Sequence, residues 1–201
     1  MSLRFEPVTE FNEADHIYKV EGIEVPSVTT VLQEMGFMKA LAFYTDSGAN
    51  RGTYIHSLVE QYNLGTMDWG QVGEYLPEIE AYIQAKEELK MEVLLTEQRM
   101  FNRSMWVAGC ADNVSLIRNE EVPYLIDLKT GAPANWHVLQ LILYGAMIKW
   151  QTPEKEVPLK MAILYINKKG KYKFVEYQPE EAYFKGAYGA VAAYHIRRTM
   201  I

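Results

Sequence analysis

Apolar and polar positions follow one another in short blocks, which predict strands and helices without an internal repeat or a low-complexity linker. Near the N-terminus, Glu21-Gly22 separates two apolar runs, a spacing typical of a hairpin with a tight turn. Ser27 follows Pro26 and is a suitable N-cap for the first helix. The pattern therefore predicts an N-terminal hairpin region over 1–26, with strands near 16–20 and 23–25, and helices over about 27–35, from 38, over about 47–62 and over about 77–90.

Most of the predicted strands lie in the second half of the chain. Polar residues at 103–104 and at 118–121 separate three apolar runs and predict a three-strand meander. The nearly all-apolar run that follows predicts a buried crossover helix. The predicted elements are strands over about 92–102, 106–117 and 124–129, a helix over about 135–150, strands over about 159–167 and 171–177, and a helix over about 180–197. Together they predict one α/β domain over 1–201, whose central mixed β-sheet lies within 92–177 and is flanked by helices on both faces.

Composition narrows the class of protein. The chain has 201 residues, 49% of them hydrophobic and 23% charged, which is ordinary for a globular domain. No apolar stretch approaches the length of a membrane span, and the N-terminus lacks a signal peptide's apolar region, so we expect a cytoplasmic protein. The chain has one cysteine, Cys110, so it cannot form an internal disulfide or hold an iron–sulfur cluster through cysteines. The formal net charge of −6 means that any nucleic-acid-binding surface must be local.

Asp127 and Lys129 are the first candidates for chemistry. They lie two residues apart in the run 125–131, which is typical of a short buried strand. Because side chains on a strand alternate between faces, both point to the same side, with Cα atoms about 7 Å apart. A buried carboxylate and a buried ammonium each need a partner. The two residues form either a structural ion pair or the acid and base of a metal-assisted phosphodiester hydrolysis, and both interpretations are open at this point.

Asp112 is a carboxylate on the predicted apolar face of its strand, which it shares with Cys110 and Val114, whereas Asn113 lies on the other face. An ionised carboxylate there calls for a cation. If the strands are neighbours, Asp112 comes close to Asp127, and two carboxylates in contact repel unless a cation bridges them. That cation is either an arginine from elsewhere in the chain or a hard divalent ion such as Mg²⁺ or Mn²⁺.

His56 and Glu60 lie one turn apart on a predicted helix. A lone histidine on a helix is more often a structural residue than a ligand. If His56 meets the two aspartates, its imidazole favours Mn²⁺ over Ca²⁺, and Glu60 either orients it or belongs to a solvated helix face. Glu97 is a weaker candidate for the same cluster and could instead pair with Arg99.

Gln140 is an amide in the nearly all-apolar run of the predicted crossover helix, and Tyr144 lies one turn further on the same side. An amide in a buried helix needs a hydrogen-bonding partner. That partner is either nearby backbone, or the acidic cluster with a phosphate or the lysine.

Taken together, these residues resemble the PD-(D/E)XK nuclease superfamily, most closely its RecB-like branch, which includes phage recombination exonucleases and the Cas4 nucleases. The motifs occur in the family's order and cover most of the chain: His16-x-Tyr18, Val25 to Leu32, Gly52-x-x-x-His56-x-x-x-Glu60, Ala108-Gly109-Cys110-Ala111-Asp112, Ile126-Asp127-Leu128-Lys129-Thr130-Gly131 and Gln140-x-x-x-Tyr144.

The resemblance implies a restriction-endonuclease-like fold and a Mg²⁺- or Mn²⁺-dependent deoxyribonuclease without an iron–sulfur cluster. It implies that the metal ligands are His56, Asp112, Asp127 and the carbonyl of Leu128, and that Lys129 positions or deprotonates the attacking water. Gln140 and Tyr144 correspond to the family's helix motif beside the site. An exonuclease of phage or prophage recombination or of DNA repair is the preferred function; the alternative is a catalytically silent member that binds nucleic acid or protein. The expected partner is DNA, with a homo-oligomeric ring or a recombination partner protein as further possibilities.

DNA binding by an acidic chain requires a local group of basic residues. The candidates are Lys168, Lys169, Lys171, Lys173, Arg197 and Arg198. They could follow a DNA backbone, or the lysines could be a solvated hairpin that protects an edge strand. Trp106 and Trp136 flank the predicted site in sequence, and each could stack on a base or pack in the core.

Overall fold

The structure is a computed structural model, which describes residues 10–12, 17–38, 46–151 and 158–200. The helix predicted from Met38 falls on the residues after 38, of which 39–45 lie outside the described residues. The elements are β1 (Glu10–Asn12), β2 (Ile17–Val20), β3 (Ile23–Val25), α1 (Val28–Glu34), α2 (Asp46–Leu64), α3 (Leu76–Glu88), β4 (Glu92–Asn102), β5 (Val107–Leu116), β6 (Tyr124–Lys129), α4 (His137–Gln151), β7 (Lys160–Asn167), β8 (Lys171–Tyr177) and α5 (Glu181–Thr199), with short 3-10 turns at Trp69–Gln71 and Gly73–Tyr75.

The local start signals act as the sequence predicts. Ser27 caps α1, because its hydroxyl oxygen accepts a hydrogen bond from the Thr30 amide at 2.9 Å. Pro77 lies in the first turn of α3, where its missing N–H costs nothing. The hairpin of β2 and β3 turns at Glu21-Gly22, both with positive φ. β1, which pairs with β2, was not predicted.

The main sheet has the order β4-β5-β6-β7-β8. β4, β5 and β6 form an antiparallel meander, α4 crosses over to β7, which is parallel to β6, and β8 returns antiparallel to β7. This confirms the predicted mixed sheet, and its order agrees with the restriction-endonuclease-like fold that the resemblance implies.

Helices cover both faces of the sheet. On one face, α1, α4 and α5 pack over a core that includes Val114, Leu125 and Ile163. On the other, α2 and α3 pack over Ile126 and Leu128. Burial on both sides explains why β6 is an almost unbroken apolar run. Within the described residues, no helix combines the length and apolar character needed to span a membrane.

Candidate active site

The candidate site forms where β5 and β6 separate. The two strands are paired as far as Asn113 opposite Ile126, and the next residues, Asp112 and Asp127, lie beyond the last paired position. The Leu128 amide donates instead to Asp112 Oδ2 at 2.6 Å. The Asp112 carboxylate therefore replaces a backbone carbonyl of the neighbouring strand as hydrogen-bond acceptor, and it brings negative charge to the end of the β5–β6 pairing.

The predicted alternation along β5 fails at this point. Val114 was expected to share the face of Asp112, but it packs in the core beneath α4, whereas Asp112 reaches His56 of α2, the helix that covers the other face. Asn113, expected to lie on the more polar face, is buried and donates to the Tyr82 hydroxyl. The physical reason is that strict alternation requires continuous pairing, and pairing between β5 and β6 stops at Asn113.

Imidazole, carboxylate and carbonyl groups meet at this strand end. His56 Nδ1 lies 3.2 Å from Glu97 Oε1 and 3.5 Å from Asp112 Oδ1, and His56 Nε2 lies 3.1 Å from the Leu128 carbonyl oxygen. One ligand atom from each of His56, Glu97 and Asp112 lies within 4.8 Å of the other two. We call these three residues the ligand group. Their donor set, one nitrogen and two carboxylate oxygens beside a carbonyl, suits Mn²⁺ or Mg²⁺.

Glu97 occupies a more central place than its sequence pattern indicates. It does not pair with Arg99: its Oε1 faces His56, and its Oε2 accepts a hydrogen bond from the Cys110 thiol at 3.3 Å. Its φ of +44° lies in the left-handed region, which is uncommon for residues other than glycine. Strain of this kind is often kept at functional positions. No periodicity in the sequence signals such a backbone conformation.

Electrostatics holds the ligand group together. Burial opposes a charged imidazole, but the carboxylates of Asp112 and Glu97 outweigh it and hold the pKa of His56 well above its ordinary value. Burial likewise opposes a charged Asp112, and the attraction of His56 and Lys129 leaves the pKa of Asp112 below its ordinary value. The group is thus strongly polarised, with a cationic imidazole held against the ionised Asp112.

A second chain of contacts leads from the same strand end into α4. Lys129 Nζ lies 2.9 Å from Asp127 Oδ1 and 2.8 Å from Oδ2, so the ammonium straddles the carboxylate. It also donates to Gln140 Oε1 at 2.9 Å, and Gln140 Nε2 donates to the Tyr144 hydroxyl at 2.8 Å. The predicted helix pair of Gln140 and Tyr144 thus lies on the lysine side of the site.

Asp127 is 1% exposed and lies beside the ligand group rather than within it. Burial raises the pKa of Asp127 to about 6, and repulsion from Asp112 adds to this effect while the Lys129 ammonium opposes it. The structure therefore brings His56, Asp112 and the Leu128 carbonyl together, places Glu97 beside them, and pairs Asp127 with Lys129.

Gly109 explains one further element of the motif around Asp112. A Cβ built on Gly109 would lie 2.5 Å from Cε1 of Tyr144, a distance that real Cβ atoms do not adopt. Any larger residue at position 109 would therefore displace the tyrosine that supports Gln140. The sequence places this glycine in the motif but does not reveal its contact, because Tyr144 lies on a different element.

The remaining predicted residues differ in their distance from the site. Glu60 is half-buried one turn beyond His56 on α2. Trp136 lies close, with its ring centroid 5.6 Å from Lys129 Nζ, and lines a surface cleft of about 270 Å³ with Phe37, Leu139 and Tyr183. Trp106 instead stacks edge-on against the buried Phe101.

The predicted basic residues divide into two groups. Tyr165 of β7 lies between Lys129 of β6 and Lys173 of β8 in one row across the sheet. Lys171 is two residues before Lys173 and shares its side of β8, and Lys168 and Lys169 form the adjoining turn.

Arg197 and Arg198 lie elsewhere, in the last turn of α5, where they donate to the carbonyl and carboxylate of Glu34. Their end of α5 is far from Gly186, which lines the cleft beside Trp136 near the helix start. Both arginines therefore have a visible structural role.

Comparisons with known proteins give a distant fold likeness only. No family model matches the chain, and no curated protein matches it. Two similar solved structures are of an alkaline exonuclease (LHK-Exo) from Laribacter hongkongensis. The first has 16% identity and a TM-score of 0.38, covering 82% of this chain and 84% of that one. The second, in complex with dAMP, has 16% identity and a TM-score of 0.40, covering 86% and 87%. At these scores the likeness does not establish function.

Proposed function

We propose that this chain is a divalent-metal-dependent DNA nuclease that hydrolyses phosphodiester bonds. The observation that supports the proposal is the meeting of two sets of groups at one strand end. The ligand group of His56, Glu97 and Asp112 offers two carboxylates and, once a metal ion displaces its proton, an imidazole nitrogen. The Lys129 ammonium, from the same strand end, is held by an acid and an amide. Metal ligands beside a fixed cation are what phosphodiester hydrolysis requires.

The residues fit a hard divalent cation. The residues that would hold Mg²⁺ or Mn²⁺ are His56, Glu97, Asp112 and Leu128, the last through its carbonyl oxygen. Asp127 directly precedes Leu128 and places a further carboxylate beside them. A cation bound there would lower the pKa of water, orient the phosphate and stabilise its developing charge. The imidazole among the ligands favours Mn²⁺ over Ca²⁺.

Lys129 would act on the phosphate and the attacking water. Asp127 and Gln140 fix its ammonium from two sides, and Tyr144 fixes the amide of Gln140 in turn. A held ammonium loses little side-chain entropy when it donates to a phosphate oxygen. Since its side chain is 16% exposed, it can reach substrate without leaving its partners.

The proposed path for the DNA backbone crosses the strands of the sheet, from Lys129 of β6 to Lys173 of β8. The Cα atoms of Lys129 and Lys173 are separated by two strand spacings, about 10 Å. Lys171 and Lys173 are exposed and would contact successive phosphates, with Lys168 and Lys169 beyond them. A local path of this kind is compatible with a net charge of −6.

Finer points of function rest on the motifs in the sequence. We propose one nuclease domain over 1–201 that acts as an exonuclease of phage or prophage recombination or DNA repair. We further propose a cytoplasmic protein that works as a homo-oligomeric ring or with a recombination partner protein. The motif order, from Gly52-x-x-x-His56 to Gln140-x-x-x-Tyr144, supports these points.

The experiment compares end-labelled linear DNA with covalently closed circular DNA in Mg²⁺, in Mn²⁺ and in EDTA. We expect only the linear DNA to be degraded, only with metal, and about 10²–10⁴-fold more slowly by Lys129→Ala. Lys185→Ala is the matched control, since that lysine is exposed on α5 and forms a salt bridge with Glu181, one turn earlier on the same helix. DNA binding without metal-dependent cleavage would favour the catalytically silent alternative. Cutting of the closed circle would contradict the exonuclease assignment.

A further inference from the structure

A chain of buried hydrogen bonds lies behind the ligand group, and the proposed chemistry does not use it. Tyr82 of α3 is at its centre: its hydroxyl donates to Asn63 Oδ1 at 2.9 Å and accepts from Asn113 Nδ2 at 3.1 Å. Ser115 donates to Asn113 Oδ1. Tyr82 is 2% exposed and Asn113 is 4% exposed. Burying a polar group costs free energy unless the group is hydrogen-bonded, and these hydrogen bonds provide the partners.

The chain continues to the backbone of a candidate metal ligand. Asn63 Nδ2 donates to Thr96 Oγ1 at 3.3 Å, and the Thr96 hydroxyl donates to the carbonyl of Asp112 at 3.4 Å. Lys86 donates to Asn63 Oδ1 at 3.1 Å. Hydrogen bonds thus run without a break from α3, through α2 and β4, to the residue that binds His56.

Two of the candidate ligands directly adjoin members of this chain. Thr96 and Asn113 face each other in the register of β4 and β5. Glu97 follows Thr96, and Asp112 precedes Asn113, so both carboxylates extend from this one pair of facing residues. A shift of that pair would move both carboxylates.

The third candidate ligand is linked through its helix. Asn63 follows His56 by seven residues, which is two helical turns, so the two side chains lie on one face of α2. Asn63 bonds to Thr96 of β4 and, through Tyr82 of α3, to Asn113 of β5, and these bonds therefore fix the axial position and rotation of α2 against the two strands. This position determines how far the imidazole reaches towards Glu97 and Asp112.

We propose that the Tyr82 hydroxyl is a positioning group for the metal centre. By joining Asn63 of α2 to Asn113 of β5, it sets the separation between the imidazole of His56 and the two carboxylates. This inference rests on the proposed function, because it is a metal ion that needs three ligands at a fixed separation. Groups that orient metal ligands from behind typically change metal affinity by about 10–100-fold.

The test measures Mn²⁺ binding to the whole protein without DNA, by calorimetry and by electron paramagnetic resonance. We expect Tyr82→Phe, which removes one oxygen, to raise the Kd for Mn²⁺ about tenfold. The Mn²⁺ concentration for half-maximal cleavage should rise by the same factor, while kcat at saturating Mn²⁺ stays within about twofold. Tyr62→Phe is the matched control: its ring packs edge-on against Tyr82 at 6.2 Å, and the Kd for Mn²⁺ should not change.

A second variant keeps the inference testable if Tyr82→Phe does not fold. Thr96→Val removes the hydroxyl that joins Asn63 to the Asp112 carbonyl, is nearly isosteric, and should weaken Mn²⁺ binding in the same direction. Folded variants that bind Mn²⁺ like the wild type, with only a lower Tm, would overturn the inference and leave a purely structural network. A wild-type protein that binds no Mn²⁺ would overturn the proposed function instead.

Discussion

Two buried ion pairs in this protein are alike in burial but differ in their surroundings. Glu78 and Asp127 are each 1% exposed, and the side chains of their partners, Arg51 and Lys129, are 15% and 16% exposed. The Arg51 guanidinium binds Glu78 at 2.6 Å, binds Glu74 at 3.0 Å and lies over the Tyr75 ring. Lys129 instead joins Asp127 to an amide of α4, beside the ligand group.

The difference lies in the balance of charge. The further acid at Arg51 is Glu74, whose side chain is 76% exposed and solvated by water. The further acid at Lys129 is Asp112, which is largely withdrawn from solvent and helps to keep the pKa of Asp127 above its ordinary value. Burial of an ion pair therefore does not distinguish a structural role from a functional one. Under the proposed function, a surplus of buried negative charge does, because it calls for a cation.

The largest expected effect comes from Asp127→Asn. We expect the cleavage rate to fall at least about 100-fold, because Lys129 loses the carboxylate that fixes it and the proposed metal centre loses an adjacent charge. The free energy of unfolding should change by less than about 1 kcal/mol, since lost attraction to Lys129 is offset by lost repulsion from Asp112. Cleavage kinetics at saturating Mn²⁺ and urea unfolding measure the two quantities. Wild-type cleavage by this variant would make the Lys129 pair a structural one.

Glu78→Gln should give the opposite result. Breaking a buried pair leaves the Arg51 charge incompletely compensated, so we expect the free energy of unfolding to fall by about 3 kcal/mol. Cleavage per folded molecule should remain within about twofold of the wild type, since neither residue belongs to the ligand group. Urea unfolding and kinetics well below the Tm test this prediction. A selective loss of cleavage in a stable variant would mean that the charge-balance criterion is wrong.

The pH dependence of stability that His137 causes reports on the surroundings of Lys129. It is 3% exposed and its ring lies 3.1 Å from the Tyr165 hydroxyl; burial and the Lys129 charge lower its pKa to about 3. The unfolded chain binds this proton near pH 6.5 and the folded protein does not, so the free energy of unfolding decreases as the pH falls below about 6.5. The contribution is about 1 kcal/mol per pH unit, and it should be absent in His137→Gln. Equal slopes for the two proteins between pH 6.5 and 5 would contradict the assignment.

Most elements of the fold are predictable from the sequence because they depend on local signals. The Ser27 cap, the Glu21-Gly22 turn and the apolar run of β6 each act over a few residues. The pair of Asp127 and Lys129 is predictable for the same reason, since the two-residue period of a strand puts both on one side.

The rest of the site depends on contacts between distant parts of the chain. Glu97 meets His56 across 41 positions, and its positive φ follows from no pattern of residue types. Arg51 meets Glu78 across 27 positions of the sequence. The ion pair with which the Lys129 pair is compared was therefore not predicted. The failed alternation at Asp112 has the same origin, because strand separation is a property of the assembled sheet.

The smallest expected effect concerns the exposed lysines that extend from Lys129 across the sheet. Lys173 shares a row with Lys129 across the sheet, so we expect Lys173→Ala to remove about one phosphate contact. The slope of log affinity against log salt should decrease by about 1, with cleavage at saturating DNA unchanged. Binding of a labelled duplex in Ca²⁺ across a salt series measures the slope, and Lys185→Ala, on α5, should leave it unchanged. If the lysines only protect an edge strand, the two variants will give the same slope, and the variant at Lys173 will instead be more prone to aggregate.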